Sequence, residues 1–275
     1  MPGIKDLRGK VVVITGAGSG IGRATALAFA AEGADLVVAD KSGDRIAEVG
    51  KEIERLGARV LTQVTDVSDR KQVEKLAELV IKERGKVDVL HNNAGVAIGA
   101  RFEDTRIEDW EWIIGINFWG VLFGIKYFLP YMIEKRYGHI VNTSSAAGLC
   151  ATPGMPAYCA TKFAVAGLSE SLRAELRKYN IGVTTVCPGI IDTRIVADGR
   201  LQLRADAKAN PESVVEFYRK RGWPPERVAK AVLKAVRKNK SVVPVGPEVW
   251  VQWYTKRLSI PLYNWFCVVS EKYLM

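Results

Sequence analysis

The stretch KVVVITGAGSGIG, residues 10–22, decides the fold of this chain. Its first half, KVVVIT, is a β-branched run of the kind that is buried on both faces in a parallel sheet. The glycines lead directly into an alanine-rich segment, Ile21 to Glu32, and Gly33 ends that segment before a second apolar run at 34–40. The order strand, glycine turn, helix, strand predicts a βαβ unit and therefore a parallel α/β sheet.

The same alternation continues along the chain and predicts one doubly wound, Rossmann-like parallel sheet of about seven strands. Residues 190–225 are rich in charges and predict a mobile helical cover over the substrate. No linker divides the chain, so we expect one domain over 1–245 and a C-terminal extension over 246–275. Further strands are predicted at 59–65, 87–92, 138–143, 182–187 and, as an edge strand, 241–245; helices are predicted at 43–56, 69–84, from Asp104 or Thr105 towards Tyr131 with a bend or end near Pro130, 158–179, 212–220 and 226–238.

The composition is that of an ordinary globular protein. Of 275 residues, 48% are hydrophobic and 25% charged, which is too apolar for a disordered chain. The first residues lack the apolar core of a signal peptide, so a cytoplasmic protein is expected. Four cysteines without a CxxC pair and only two histidines predict reduced thiols and no metal site.

The net charge of +10 is concentrated in the last quarter of the chain. Residues 1–199 carry 25 Lys+Arg and 24 Asp+Glu, a balance of +1, whereas residues 200–275 carry 15 and 6, a balance of +9. Such an end suits an anionic lipid, a nucleic acid, an acidic partner or a phosphorylated substrate, and solvated helix faces explain part of it. No recognised nucleic-acid motif accompanies the charge, so specific nucleic-acid binding is not expected.

The extension also concentrates aromatic residues. Its apolar run, Leu258 to Val269, spans twelve residues and contains Pro261 and Asn264, so it is too short and broken to cross a bilayer. Two alternatives are open: the extension packs on the body or on a sister subunit, or it lies at a lipid surface. The aromatic residues are Trp250, Trp253, Tyr254, Tyr263, Trp265 and Phe266, beside Lys256 and Arg257.

The glycines at 16, 18, 20 and 22 lie between a buried strand and the start of a helix. Backbone amides in such a turn can approach a pyrophosphate, which the positive end of the helix dipole also favours. The spacing is T-G-x-x-x-G-x-G rather than GxGxxG. It predicts a nucleotide site, although glycines also occur in plain tight turns.

Two acidic positions that end strands indicate how an adenosine would be held. Asp40 ends the second strand, where a carboxylate can accept both ribose hydroxyls and would repel a 2′-phosphate, which favours NAD. Lys41 follows and could neutralise a phosphate, so NADP stays open, while Ser19 stands where a basic residue would support NADP. Asp66 and Val67 end the third strand and could hold the adenine. Both carboxylates are also ordinary helix caps.

The segment GHIVNTSSAAGLCATPGMPAYCATK, residues 138–162, carries the candidate catalytic groups. Tyr158 and Lys162 are four residues apart, so on a helix they share one face and the ammonium sits beside the phenol. A phenol has a pKa of about 10, and a fixed cation nearby favours its ionised form. Ser145 could bond the same substrate oxygen as Tyr158. A Y-x-x-x-K spacing alone is also compatible with an ordinary helix start.

Taken together, these motifs resemble the short-chain dehydrogenase/reductase family over about residues 10–245. The gap of thirteen residues to Tyr158 that is usual in the family favours Ser145 over Ser144. The resemblance also implies that Thr193 contacts the nicotinamide amide and that Asn117 holds a water linking Lys162 to solvent. The residues that carry it are TGAGSGIG at 15–22, Asp66, NNAG at 92–95, Asn117, Ser145, YCATK at 158–162 and PG at 188–189.

The resemblance implies an enzyme that moves a hydride between NAD, or alternatively NADP, and a carbonyl carbon. It implies catalytic roles for Asn117, Ser145, Tyr158 and Lys162 and a homodimer or homotetramer joined through the helices at 105–131 and 158–179. The expected cofactor contacts are Gly16, Ser19, Gly20, Ile21, Gly22, Asp40, Lys41, Asp66, Val67, Asn93, Ala94, Gly95, Tyr158, Lys162, Pro188, Gly189, Ile191 and Thr193.

The expected substrate walls are mostly apolar, which favours a lipophilic alcohol or ketone such as a steroid, retinoid, terpenoid or fatty chain. The alternatives are an NADPH-dependent carbonyl reductase of small polar ketones or diketones, and a cofactor-binding scaffold without turnover. Peripheral membrane contact through the extension would suit a lipophilic substrate. The expected wall residues are Val96, Ala97, Ile98, Ser145, Leu149, Met155, Tyr158 and Ile190.

Overall fold

The structure is a computed structural model that describes residues 2–202 and 210–274. Part of the predicted cover, 203–209, and the side chain of Phe266 lie outside the described residues. The strands are β1 (Val11–Thr15), β2 (Asp35–Asp40), β3 (Val60–Val64), β4 (Val89–Asn92), β5 (Ile98–Gly99), β6 (Gly138–Thr143), β7 (Ile181–Pro188), β8 (Arg200–Leu201) and β9 (Val242–Val245).

Seven strands form one parallel sheet in the order β3-β2-β1-β4-β6-β7-β9, and β5 pairs separately with β8. The strand order reverses between β1 and β4, which is the switch point of a doubly wound fold. The predicted Rossmann-like sheet is therefore confirmed. β9 is an edge strand, where Pro244 interrupts no ladder on its outer side.

Helices cover both faces of the sheet. α1 and α8 pack together on one face, and α3 and α5 pack together on the other. The helices are α1 (Gly20–Ala31), α2 (Gly43–Arg55), α3 (Arg70–Arg84), α4 (Ile107–Ile114), α5 (Gly120–Lys135), α6 (Pro156–Leu176), α7 (Pro211–Arg221), α8 (Pro225–Lys238), α9 (Pro247–Leu258) and α10 (Ile260–Leu274).

The predicted long helix is divided differently from the expectation. α4 runs through a π-helical turn, Gly115–Trp119, directly into α5. Pro130 does not end the helix, because α5 continues past it to Lys135. Phe128 and Met132, which flank the proline, have no exposed surface. Their packing compensates for the backbone hydrogen bond that proline cannot make.

The segment Ile107–Lys135 is also long and apolar enough to cross a membrane, with a mean hydropathy of 1.5 over its most apolar window. The core helix of a globular protein passes the same test. α5 contacts β4 and β6 and buries Phe128 against that face of the sheet. Its apolar composition therefore serves the core of the domain.

The extension forms α9 and α10, which the sequence did not predict. Pro247 and Pro261 each lie in the first turn of their helix, where a missing N–H costs no helical hydrogen bond. The expectation that Pro261 interrupts the apolar run is therefore wrong, because Pro261 lies at the start of helix α10.

Part of the cover is attached to the body by a buried carboxylate. Asp109 on α4 has no exposed surface and accepts hydrogen bonds from Arg200 and from Gln202 Nε2, the latter at 2.9 Å. Ile98 and Gly99 pair with the same segment through β5 and β8. Residues 200–202 are thus held at both their backbone and their side chains.

Candidate active site

The glycine turn after β1 is built so tightly that side chains do not fit. Gly16 and Gly20 have φ of +63° and +51°, in the region that favours glycine. A Cβ on Gly16 would lie 2.6 Å from Ala94 Cα, and one on Gly22 would overlap the Gly16 carbonyl. Asn93 Nδ2 donates to the carbonyls of Thr15 and Gly16, both at 3.1 Å. These contacts fix the turn at the amino end of α1, which suits a phosphate.

A cavity of about 1300 Å³ opens at the carboxyl ends of the strands. It exceeds the roughly 300–1,000 Å³ that one small ligand usually occupies, so a cofactor and a substrate fit together. The sequence-predicted residues that line it are Gly16, Ser19, Gly20, Ile21, Asp40, Lys41, Asp66, Val67, Asn93, Ala94, Gly95, Val96, Ala97, Ser145, Met155, Tyr158, Lys162, Pro188, Gly189, Ile190, Ile191 and Thr193.

Two predicted substrate residues do not line the cavity. Ile98 is only 1% exposed and packs with Ile113 and Ala157 in a separate apolar cluster, because alternation along β5 turns it inwards. Leu149 presents its carbonyl oxygen to Lys256 Nζ at 2.8 Å and lies off the cavity wall. Both expectations are corrected.

Two other predicted residues lie behind the wall. Gly22 packs on the carbonyl of Gly16, so it supports the glycine turn and does not line the cavity. Asn117 has no exposed surface. Its Oδ1 accepts from Val96 N at 2.8 Å, and its Nδ2 donates to Val96 O at 2.9 Å and Thr161 Oγ1 at 3.2 Å. The water-holding role of Asn117 stays a prediction.

The adenosine end of the cavity contains Asp40 at the end of β2. One carboxylate oxygen accepts from Gly18 N at 2.9 Å and the other from Ser42 N at 3.0 Å. Each oxygen keeps a further lone pair for a ligand. Arg45 also lines this end and forms a 3.0 Å ion pair with Asp198, a pairing that sequence reasoning missed. Its position in the first turn of α2, five residues after Asp40, was the available signal.

Asp66 and Val67 line the cavity after β3. Asp66 Oδ1 accepts from Ser68 N at 2.9 Å and from Ser68 Oγ at 2.6 Å. The cap of α3 is Asp69, which accepts from the backbone of Lys71 and Gln72. The alternative that Asp66 caps α3 is therefore wrong.

The three candidate catalytic side chains meet at one place in the cavity. The Ser145 hydroxyl lies near the Tyr158 phenol and favours its ionised form, and Lys162 Nζ lies 5.6 Å from the centroid of the Tyr158 ring. Ser144 Oγ instead donates to the Lys162 carbonyl at 2.7 Å, which attaches α6 to the end of β6. Because the Ser144 hydroxyl is used in this way, Ser145 is the hydroxyl that faces the phenol.

Burial dominates the electrostatics of this group. It raises the pKa of the Tyr158 phenol above its usual value, and the nearby Ser145 hydroxyl only partly opposes that rise. Burial also lowers the pKa of Lys162 to about 8. The sequence led us to expect that Lys162 lowers the pKa of Tyr158, whereas in this structure desolvation of the phenol dominates and raises it.

The C-terminal helices complete the cavity wall, which the sequence placed outside the site. The Tyr263 hydroxyl donates to Ala151 O at 2.7 Å, so α10 rests on the loop before α6. The extension was expected either to pack on the body or to lie at a lipid surface, and the face of α10 that carries Tyr263 packs on the body. The wall residues that it contributes are Glu248, Gln252, Cys267 and Val269. Their signal was absent from the sequence because only tertiary packing brings them to the cavity.

Comparison with known proteins identifies the class to which this fold and site belong. Residues 10–203 match the sequence profile described as short chain dehydrogenase, and the chain belongs to that family of oxidoreductases. It is 40% identical over 254 residues to the putative oxidoreductase SadH of Mycobacterium tuberculosis, covering 89% of each chain. It is 39% identical over 255 residues to the probable oxidoreductase EphD of Mycobacterium tuberculosis, covering 90% of this chain. The match spans 43% of EphD, less than half of its length.

Solved structures agree with this assignment. A short chain dehydrogenase/reductase from Burkholderia phymatum in complex with NAD has a TM-score of 0.85 at 33% identity, covering 94% of this chain and 96% of that chain. An alcohol dehydrogenase from the archaeon Thermococcus sibiricus, complexed with 5-hydroxy-NADP, has a TM-score of 0.73 at 28% identity, covering 86% and 94%.

Proposed function

We propose that this oxidoreductase uses NAD to interconvert a secondary alcohol and a ketone on a lipophilic molecule. The observation that carries the proposal is the placement of Ser145, Tyr158 and Lys162 in the same cavity as the glycine turn. A hydroxyl, a phenol and an ammonium at one point can handle the proton and the oxygen of such a reaction.

The choice of NAD rests on Asp40. Its carboxylate lines the cavity beside Gly18, where it suits ribose hydroxyls and opposes a 2′-phosphate. The Burkholderia phymatum relative is in complex with NAD, whereas the Thermococcus sibiricus relative carries an NADP derivative. Lys41 and Arg45 also line this end, so NADP is the alternative cofactor. When bound, either cofactor supplies or accepts the hydride.

The chain's own groups handle the oxygen and its proton. Tyr158 donates a proton to the carbonyl oxygen during reduction and removes it during oxidation. Ser145, which lies near the phenol, donates a hydrogen bond to the same oxygen. The Lys162 ammonium lies beside the phenol ring and favours the ionised form of Tyr158 when the proton leaves.

Apolar walls support a lipophilic substrate. Val96, Ala97, Met155 and Ile190 line the cavity, and the cover adds further apolar side chains. A pocket with such walls and few polar groups favours an apolar ligand body. The apolar and aromatic residues that the cover and α7 add are Ile191, Ile195, Val196, Leu201, Val214, Phe217 and Tyr218, and the same segment also adds Thr193, Arg194, Asp198, Gln202 and Ser213.

Two surfaces support assembly and membrane contact. Trp119, 45% exposed, stacks on Phe123 of α5, which suits a homo-oligomer formed through this helix.

On α9 and α10 the exposed apolar side chains beside Arg257 suit an anionic lipid surface. Sedimentation with anionic vesicles tests the contact, and a protein that stays in the supernatant at low salt contradicts it. The exposed apolar side chains on α9 and α10 are Leu258, Ile260, Leu262, Trp265 and Val268.

The decisive experiment replaces Tyr158 with Phe. Tyr158→Phe keeps the ring and removes the proton, so turnover of a panel of alcohols and ketones should fall by about a thousandfold or more. NADH binding, followed by fluorescence, should be unchanged. Tyr254→Phe, at a half-exposed site on α9, is the matched control and should keep full activity. Turnover retained in Tyr158→Phe would refute the proposed role.

A further inference from the structure

Helix α9 presents two polar side chains to the cavity. Glu248 and Gln252 are four residues apart, so they lie on one face of the helix, and both line the cavity that holds Tyr158. Most side chains that the cover and α7 contribute to this cavity are apolar. The pair adds two polar groups to a wall in which the cover and α7 also contribute Thr193, Arg194, Asp198, Gln202 and Ser213.

The Glu248 carboxylate packs against two glycines, Gly189 and Gly246, and the space between them is called its seat below. A Cβ on Gly189 or on Gly246 would overlap its Oε1 atom. Gly189 follows β7 and Gly246 follows β9, so the seat lies between the ends of two neighbouring strands. Side chains at these two positions would displace the carboxylate from the cavity.

Glu248 Oε1 is buried and accepts no hydrogen bond. Four buried side-chain polar atoms lack a partner within residues 2–202 and 210–274, on Thr25, His91, Asn92 and Glu248. Of these, only the Glu248 atom belongs to a side chain that lines the cavity. A buried acceptor without a donor is costly, and a charged one more so. Because Oε1 itself has almost no accessible surface, a ligand would offset that cost by donating to Oε2 of the same carboxylate, which is not among the fully buried unpartnered atoms.

We propose that Glu248, assisted by Gln252, binds a hydrogen-bond donor on the substrate, namely a hydroxyl or an ammonium group. Glu248 follows β9 and Ser145 follows β6, two strands away, which separates them by roughly 10 Å across the sheet. The substrate is then a lipophilic ketone or alcohol with a second polar group about that far from the reacting carbon. The inference rests on the proposed function for the position of the reacting carbon.

Matched probes test this proposal by binding, without turnover. The three probes are 2-nonanone, 9-hydroxy-2-nonanone and 9-amino-2-nonanone, titrated by calorimetry into the enzyme saturated with NAD⁺, which cannot reduce a ketone. The wild type should bind at least one donor-bearing probe about tenfold more tightly than 2-nonanone. If 9-hydroxy-2-nonanone binds more tightly, the substrate carries a hydroxyl; if 9-amino-2-nonanone does, it carries an ammonium group.

Substitutions of Glu248 separate charge from hydrogen bonding. Glu248→Leu should remove the preference for either donor. Glu248→Gln keeps a carbonyl acceptor, so it should keep a hydroxyl preference and lose an ammonium preference. Glu226→Gln is the matched control, because Glu226 is exposed and also follows a proline in the first turn of its helix, α8. The melting temperature and NADH affinity of each variant establish that it is folded.

Three results would overturn the proposal: equal affinity of the wild type for all three probes, no binding of any probe, or a preference that survives in Glu248→Leu. A change confined to NADH affinity would instead assign Glu248 to the cofactor. Failure of the proposed function gives a different result. Hydride transfer to every ketone would then be absent while the probe preference and its loss in Glu248→Leu remained.

Discussion

Lys162 Nζ donates a 3.1 Å hydrogen bond to the carbonyl oxygen of Thr143, which joins helix α6 to the last residue of β6. The Lys162 side chain is fully buried apart from 2% of its surface, and burial lowers its pKa to about 8. A buried ammonium with one such bond is expensive for folding. The site therefore keeps a destabilising charge where the chemistry needs it.

Replacing Lys162 with an uncharged residue should abolish turnover and make the protein more stable. Lys162→Met keeps the length of the side chain without its charge, so it should abolish turnover and raise the free energy of unfolding at pH 7 by about 1–3 kcal/mol. Denaturant titration of both proteins measures the difference. Lys126→Met, at an exposed position on α5, is the control and should leave both quantities unchanged. A Lys162→Met protein that is less stable than the wild type would contradict this account.

The same residue predicts a pH dependence. Its pKa is about 8 when folded against a usual value of 10.5, so between these pH values the unfolded chain binds more protons. The contribution of Lys162 to stability therefore rises with pH in this window, by up to about 1.4 kcal/mol per pH unit. The raised pKa values of Cys150 and Cys187 act in the opposite direction above pH 9. The difference between wild type and Lys162→Met isolates the lysine and should shrink from pH 8 to 10.

Cofactor choice should depend on the charge of Asp40. Asp40→Asn keeps the shape of the side chain and removes the repulsion of a 2′-phosphate, so NADH should bind about tenfold more weakly and NADPH more tightly. Fluorescence titration with both cofactors gives the ratio of dissociation constants. Asp44→Asn, exposed in the first turn of α2, is the control for general charge. A larger loss of NADPH affinity than of NADH affinity would reverse the assignment.

Local patterns made the sheet and the proximity of the candidate catalytic side chains predictable. The run VVVIT at Val11–Thr15 is buried throughout, and the glycines that follow it form the expected turn. The spacing of Tyr158 and Lys162 needed only a regular helix to bring them together. The spacing to Tyr158 that is usual in the family favoured Ser145 over Ser144, and in the structure Ser144 bonds to α6 instead.

Residues that depend on tertiary packing were not predictable. Ile98 was assigned to the cavity from its place after NNAG, but the short strand β5 turns it to the other side. Glu248 lies in a segment without a family motif, and only the neighbouring ends of β7 and β9 bring it to the cavity. Arg45 reaches its partner Asp198 from 153 residues away along the chain.

Acid sensitivity should come in part from two buried histidines. His91 and His139 are fully buried as neutral rings, and burial lowers the pKa of each to about 3, against 6.5 when exposed. Between these values the unfolded chain binds more protons, so stability falls as the pH drops below about 6.5, by up to about 1.4 kcal/mol per pH unit and histidine. His139→Gln should flatten the decline of stability between pH 6.5 and 4.5. An unchanged slope would show that His139 titrates normally.

Asp109 should control how well the cover closes over the substrate. Its buried carboxylate holds Arg200 and Gln202, and the Arg200 guanidinium also lies 4.0 Å from the centroid of the Trp112 ring. Asp109→Leu removes both acceptors, so residues 200–202 lose their side-chain hydrogen bonds to α4, while the contact of Arg200 with Trp112 and the β5–β8 pairing remain. We expect a rise in KM of roughly tenfold with a smaller change in kcat, because the cover positions substrate and does not contact the transferred proton.

Limited proteolysis provides the physical readout for the same variant. Asp109→Leu should be cleaved within 190–225 faster than the wild type, since a segment with fewer contacts opens more often. Glu108→Gln, exposed on the neighbouring position of α4, is the control and should match the wild type in both assays. Leu201 lines the cavity and follows Arg200 directly, so release of Arg200 also displaces part of the substrate wall. If Asp109→Leu changed kcat alone, with no change in KM or proteolysis, Asp109 would act on the reacting groups rather than on the cover.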